Sequence, residues 1–65
     1  MKGVIKRLRR DKGYGFIRTA SGKEFFFHKS AVKNADFEDL DEGREVEFDE
    51  DEDGPKGPRA EDVYV

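Results

Sequence analysis

Two short stretches of the sequence combine aromatic rings with basic side chains. Residues 12–17 read KGYGFI and residues 25–28 read FFFH, and together they hold five of the eight aromatic residues of the chain. Exposed rings stack against flat molecules, and neighbouring Lys and Arg side chains attract negative charge. An unpaired nucleobase on a phosphate chain is flat and negatively charged, so these residues indicate binding to single-stranded nucleic acid.

The period of a β-strand separates the rings that face a core from those that face solvent, because successive side chains point to opposite sides. The predicted inward set is apolar throughout: Ile5, Ile17, Phe25, Phe27, Val32, Val46, Phe48 and Val63. The predicted outward set is aromatic and basic: Lys6, Tyr14, Phe16, Phe26 and His28. The alternatives are the opposite parity, which would bury Lys12 and His28, or burial of both faces, which needs a second layer.

Short β-prone segments separated by turn residues cover most of the chain. The strands are predicted at residues 3–8, 15–20, 23–29, 44–50 and 61–65. The turn residues SGK between the second and third strands predict a hairpin. One helical turn at most, capped by Ser30, is expected before the fourth strand. A loop is predicted at 53–60, because Pro55 and Pro58 cannot sit within a central strand. The pattern predicts one all-β domain over residues 1–65, a small closed barrel.

Composition excludes several classes of protein. There is no cysteine and only one histidine, so a structural zinc site is excluded. No apolar run has the length of a membrane span and no signal-peptide pattern occurs, so a soluble cytoplasmic protein is expected. No nucleophile, base and orienting group recur at a usable spacing. We therefore expect no enzymatic activity, no metal and no cofactor.

The two halves of the chain carry opposite charge. Residues 1–33 hold ten basic and two acidic residues, giving +8, whereas residues 34–65 hold three basic and fourteen acidic residues, giving −11. Such asymmetry points to a polyanionic partner or to a charged tail. The simpler alternative is that the charge blocks only keep the protein in solution.

Glycine and acidic residues each leave two interpretations open. Gly13 and Gly15 can leave the backbone open for a flat ligand, or can form a bulge or tight corner.

The acidic run at 49–53 matches the start of a calcium loop, but Ala60 stands where the loop needs glutamate. We expect the run to be a solvated strand end that repels phosphate and confines nucleic acid to the basic side.

KGYGFI and FFFH resemble the two ribonucleoprotein motifs of the bacterial cold-shock proteins. The similarity extends along the whole chain, through GVIKRL, FFFHKSAV, DFEDLDEGREVEF and GPKGPRAEDV. The resemblance implies a five-stranded antiparallel OB-fold barrel that binds single-stranded RNA and DNA with low sequence specificity. It also implies roles in RNA chaperoning, in transcription antitermination and in translation under stress.

The resemblance also implies a set of binding residues: Lys6, Lys12, Tyr14, Phe16, Phe26, His28, Phe37 and Arg59. Phe37 could equally plug the barrel. The chain departs from the family at Arg7, where a tryptophan is usual, and at Lys29, where an aromatic residue usually follows the histidine. A guanidinium can both stack on a base and pair with phosphate. We therefore include Arg7 and Lys29 in the predicted site and expect binding to shift from stacking towards electrostatics.

Two other functions remain compatible with the same residues. A protein-interaction module would bind a polypeptide on its aromatic face and a basic partner on its acidic half. A ribosome-associated OB-fold factor would bind ribosomal subunits and have weak affinity for free oligonucleotides. We expect the protein to be a monomer.

Overall fold

A computed structural model describes residues 1–51 and 58–65. The five predicted strands are present and are numbered in chain order: β1 Lys2–Arg9, β2 Tyr14–Arg18, β3 Glu24–His28, β4 Glu45–Asp51 and β5 Arg59–Tyr64. They form a closed barrel in the order β1-β2-β3-β5-β4, which confirms the predicted fold class. All ladders are antiparallel except the short contact between β3 and β5, which is parallel. Within the described residues, no helix has the length and apolar character needed to cross a membrane.

Two single-turn 3₁₀ helices, η1 Lys29–Ala31 and η2 Phe37–Asp39, lie between β3 and β4. The first is the helical turn that the sequence predicted, but its cap is His28, because Ser30 lies inside the turn and donates its backbone N–H to the imidazole. The second was not predicted. Its turn buries Phe37 and the following Leu40, whose spacing of three residues places both side chains on the barrel side.

The last strand begins earlier than predicted. Arg59 and Ala60 belong to β5 and not to the predicted loop at 53–60. Pro58 lies just before the strand, where its missing N–H breaks no ladder bond, and its carbonyl accepts from the N–H of Phe26 at 3.1 Å. Residues 53–57 of the predicted loop, and Glu52 and Asp53 of the acidic run, lie outside the described residues.

The core confirms the predicted side-chain parity. Its buried apolar residues are Ile5, Ile17, Phe25, Phe27, Phe37, Leu40, Val46, Phe48, Ala60 and Val63. Val32, predicted to face inward, is only half-buried and packs against the edge of this core. Full burial of a phenylalanine stabilises the fold by about 1.5–3 kcal/mol. The three fully buried rings, Phe25, Phe27 and Phe48, are therefore the largest single contributions.

A bulge in β1 changes which side of the barrel its later residues face. Ile5 pairs with Ile17, but the next pair along the ladder is Arg7 with Phe16, so Lys6 is an extra residue. Strict alternation from the buried Ile5 would direct Arg7 inward. Because of the extra residue, Arg7 instead faces outward.

Gly15 is explained by core packing and not by ligand access. A Cβ at this position would lie 2.7 Å from the carbonyl oxygen of Arg7 and 2.8 Å from a ring carbon of Phe27. The position therefore faces the core, which excludes the first of the two interpretations for this residue. Gly13 forms the turn between β1 and β2 and has a φ of +76°, a conformation that favours glycine.

Candidate nucleic-acid interface

Four strands align four outward side chains in one row across the barrel. Arg7 pairs with Phe16, Phe16 pairs with Phe26, and Phe26 pairs with Arg59. Directly opposite residues of neighbouring strands project to the same side of a sheet. The row therefore has two rings at its centre and a guanidinium at each end.

A second row lies beside the first and contains Arg9, Tyr14 and His28, because Tyr14 pairs with Arg9 on one side and with His28 on the other. We call the surface made by the two rows the aromatic face: Arg7, Arg9, Tyr14, Phe16, Phe26, His28 and Arg59. The structure thus brings together most of the residues that the sequence predicted for the site.

Three rings of the aromatic face contact one another. The ring centroids of Tyr14 and Phe16 are 5.9 Å apart, those of Tyr14 and Phe26 are 5.3 Å apart, and those of Phe16 and Phe26 are 5.9 Å apart. The two contacts of Phe16 are edge-to-face, an arrangement that aromatic quadrupoles favour. All three rings are half-buried, so each is held by its neighbours while part of its surface stays accessible.

His28 is fixed in one orientation by the helical turn that follows it. Its Nδ1 accepts from the backbone N–H of Ser30 at 3.2 Å and lies 3.0 Å from the Ser30 hydroxyl. A ring nitrogen that accepts from a backbone N–H carries no proton, so in the neutral ring the proton is on Nε2. The imidazole is therefore held on the aromatic face as a half-buried ring with a defined tautomer.

The predicted cations differ in how much of their charge is available. Lys6 lies 3.1 Å from the carboxylate of Glu24, so its charge is partly offset. Lys12 is exposed in the turn between β1 and β2. Lys29 begins η1, and its aliphatic stem lies against Gly13, where a Cβ would come within 3.1 Å of it. Arg59 is half-buried beside Phe26, and its Nε has no hydrogen-bond partner in the described part of the chain.

The sequence left two roles open for Phe37, stacking on a base or plugging the barrel, and its burial fits the second. Its side chain is only 7% exposed, and its ring lies 5.9 Å from that of Phe27 in the core. Little of the ring is therefore accessible for stacking. The small exposed part borders a hollow of about 390 Å³ that Arg10 and Lys29 also line.

Arg9 is a residue of the aromatic face that the sequence analysis did not include. It is exposed and lies directly opposite Tyr14. Its orientation follows from the bulge at Lys6, which nothing in the local sequence marks. The only available signal was the density of basic residues in the segment KRLRR at positions 6–10.

Three outward acidic residues of β4 lie on a different side of the barrel from the rings. The outward positions of β4 carry Glu45, Glu47 and Asp49, and Asp49 pairs with Glu61 of β5. In the barrel, β4 lies between β1 and β5 and does not border β2 or β3, the strands that carry the rings. Glu45, Glu47 and Asp49 are thus separated from the rings, which gives a polyanion one favourable side. At the end of β4, however, Asp51 lies directly opposite Arg59 of the aromatic face.

The chain is similar to known proteins in sequence and in fold. The family described as the 'Cold-shock' DNA-binding domain matches residues 1–65. The chain is 44% identical over 63 residues to the cold shock-like protein CspE of Bacillus anthracis, covering 97% of this chain and 92% of that protein. It is 42% identical over 59 residues to the major cold shock protein of Streptococcus pyogenes, covering 91% of this chain and 87% of that protein.

A solved structure, drosophila Unr CSD456, has a similar fold. Its TM-score is 0.75, with 26% identity over 97% of this chain, and the chain spans 25% of that structure. The motifs, the barrel and the match over all 65 residues lead to one conclusion: the chain belongs to the cold-shock domain family.

Proposed function

We propose that this protein binds single-stranded RNA and DNA, with low sequence specificity, through its aromatic face. The observation that carries the proposal is the cluster of Tyr14, Phe16 and Phe26, half-buried and flanked by Arg7 and Arg59 at the two ends of one row. A folded chain with so little apolar material gains most by burying its rings. Three rings that are only half-buried on one side are best accounted for by a ligand that covers them.

Stacking and charge supply complementary parts of the binding free energy. Each base that stacks on an exposed ring contributes about 1–3 kcal/mol, whatever its identity, because every base has a π face. Lys and Arg side chains neutralise phosphates and release counterions, which makes the affinity fall with salt. The exposed cations around the rings are Arg7, Arg9, Lys12 and Lys29. These are binding groups, and we propose a binding protein with no catalytic activity.

The proposed preference for single strands follows from the way in which a ring contacts a base. A ring reaches the π face of a base only when that base is not stacked inside a duplex. Binding that selects unpaired strands shifts a hairpin towards its open form by mass action. We therefore propose that the protein acts as an RNA chaperone in the cytoplasm, with effects on transcription and translation that follow from opening such structures.

Equilibrium binding of alanine variants tests this proposal. Fluorescence anisotropy with a labelled oligothymidine and a matched oligouridine should show that Phe16→Ala and Phe26→Ala each weaken binding by about 1–3 kcal/mol. Tyr64→Ala is the matched control, because Tyr64 is a 49% exposed aromatic residue of β5 that lies outside the aromatic face. It should bind like the unmodified protein.

Three results would contradict the proposal. One is an equal loss of affinity in the control and in the two phenylalanine variants. Another is tighter binding to a duplex than to either single strand. A third is cosedimentation with ribosomal subunits together with weak affinity for free oligonucleotides, which would favour the ribosome-associated factor.

A further inference from the structure

We propose that the phosphate backbone of a bound strand runs along β1, with successive phosphates on Arg7 and Arg9. The bases then point across β2, one onto Phe16 and the next onto Tyr14. This inference rests on the proposed function. It adds the path of the strand across the aromatic face and a binding residue, Arg9.

The bulge in β1 creates the arrangement. It turns Arg7 and Arg9 to the outer side of the barrel, where Arg7 lies opposite Phe16 and Arg9 lies opposite Tyr14. Residues opposite each other in an antiparallel pair have Cβ atoms about 4.5–5.5 Å apart. Each arginine therefore forms a unit with one ring, and each unit offers a site for a phosphate beside a site for a base.

Arg7 and Arg9 make no direct ion pair within the described residues, and the one carboxylate bound near them, that of Glu42, accepts from the backbone N–H of the intervening Leu8 at 3.2 Å. Both arginines are exposed, and neither makes an ion pair or a side-chain hydrogen bond with any residue of 1–51 or 58–65. The adjacent Arg10 differs, because it donates to the carbonyl of Leu40 and lies 3.4 Å from Asp41. Arg10 serves the fold, whereas Arg7 and Arg9 are available to a ligand.

The spacing of the two units suits an extended single strand. Two residues along a strand span about 6.6–6.8 Å, which sets the separation of the two arginines along β1. The ring centroids of Phe16 and Tyr14 are 5.9 Å apart. Both separations exceed the rise of about 3.4 Å per nucleotide along one strand of a duplex. The two units therefore fit neighbouring nucleotides whose bases are not stacked on each other.

The other flank of the rings lacks a matching pair of arginines. Arg59 lies next to Phe26 in the first row, but in the second row the residue opposite Tyr14 on β3 is His28. A path along β5, beside Phe26, would thus meet one guanidinium, that of Arg59, and a path along β1 meets two. This difference directs the backbone to the β1 side.

The salt dependence of binding to labelled oligothymidine tests the path. Arg7→Gln and Arg9→Gln remove the charge and leave a shorter, polar side chain. Each should make the slope of log K against log salt shallower by about 0.7, and the double variant by about 1.4. When salt is lowered from 1 M to 0.05 M, a variant whose slope is shallower by about 0.7 gains roughly eightfold less affinity than the unmodified protein. Arg44→Gln is the charge-matched control, because Arg44 is exposed and lies outside the aromatic face. It should keep the original slope.

An oligothymidine with uncharged methylphosphonate linkages separates phosphate contact from base contact. The double variant and the unmodified protein should bind this oligomer equally. Unequal binding would overturn the proposal, because the arginines would then act on the bases. A slope that changes with Arg59→Gln but not with Arg7→Gln or Arg9→Gln would also overturn it, by placing the backbone along β5. In both cases Phe16→Ala would still weaken binding. If Phe16→Ala has no effect, the proposed function itself fails.

Discussion

Replacing Gly15 with alanine should destabilise the fold while leaving the binding surface in place. The added methyl group would meet the carbonyl oxygen of Arg7 at 2.7 Å and the Phe27 ring at 2.8 and 2.9 Å. Backbone and a fully buried ring cannot both move aside, so the cost lies in the upper part of the range of about 1–3 kcal/mol for overpacked cores. Alanine restricts the unfolded chain and returns about 0.4–1 kcal/mol.

The expected net loss for Gly15→Ala is about 2 kcal/mol, from the difference of these two terms. In a domain of this size it corresponds to a fall in Tm of about 8–16 °C. Urea and thermal unfolding followed by circular dichroism measure both quantities. Gly43→Ala is a comparison and not a matched control, because Gly43 has a φ of +90° and no atom within 4 Å of the added Cβ, whereas Gly15 has a clash and no positive φ. Gly43→Ala should report backbone strain without a steric clash.

The result that would refute this reasoning is a stable Gly15→Ala protein that binds oligonucleotides weakly. Gly15 would then be needed by the ligand and not by the core.

Three further outcomes are expected. Asp49→Asn should raise the free energy of unfolding by about 0.2–1 kcal/mol, because Asp49 lies directly opposite Glu61 and like charges in such pairs repel. The same change should tighten oligonucleotide binding at low salt. This gain should vanish near 1 M salt, where the Debye length is about 3 Å. Phe27→Ala should cost about 3–5 kcal/mol and largely unfold the protein, as measured by urea unfolding. In ¹⁵N NMR spectra, the neutral ring of His28 should carry its proton on Nε2 and none on Nδ1, because Nδ1 accepts from the N–H of Ser30. The opposite tautomer would mean that the cap does not form in solution.

The sequence predicted the rings of β2 and β3 correctly because these two strands obey a strict period of two. They are joined directly by a short turn, and every residue of one pairs with a residue of the other. Once Ile17 and Phe25 were placed inward, the outward positions of Phe16 and Phe26 followed. A regular hairpin is the situation in which side-chain period alone determines which face is buried.

A period of two did not predict which side chains are buried on β1 or in the segment before β4. The extra residue Lys6 reverses the alternation, so the orientation of Arg9 depends on a ladder irregularity that only the paired strand reveals. Phe37 and Leu40 lie in a segment without a strand or helix period, and their burial results from tertiary packing against the barrel. The sequence did not predict the start of β5 at Arg59, because the preceding Pro58 is typical of a loop as well as of the position before a strand.

The central claim is that the aromatic face is where nucleic acid binds, and an NMR titration tests it most directly. Oligothymidine added to ¹⁵N-labelled protein should shift the backbone amides of β1 from Arg7 to Arg9, of β2 and of β3, with the largest changes around Tyr14, Phe16 and Phe26. The outward residues of β4 should stay unperturbed. Shifts concentrated on β4 and around Tyr64, with the three rings unchanged, would contradict the account.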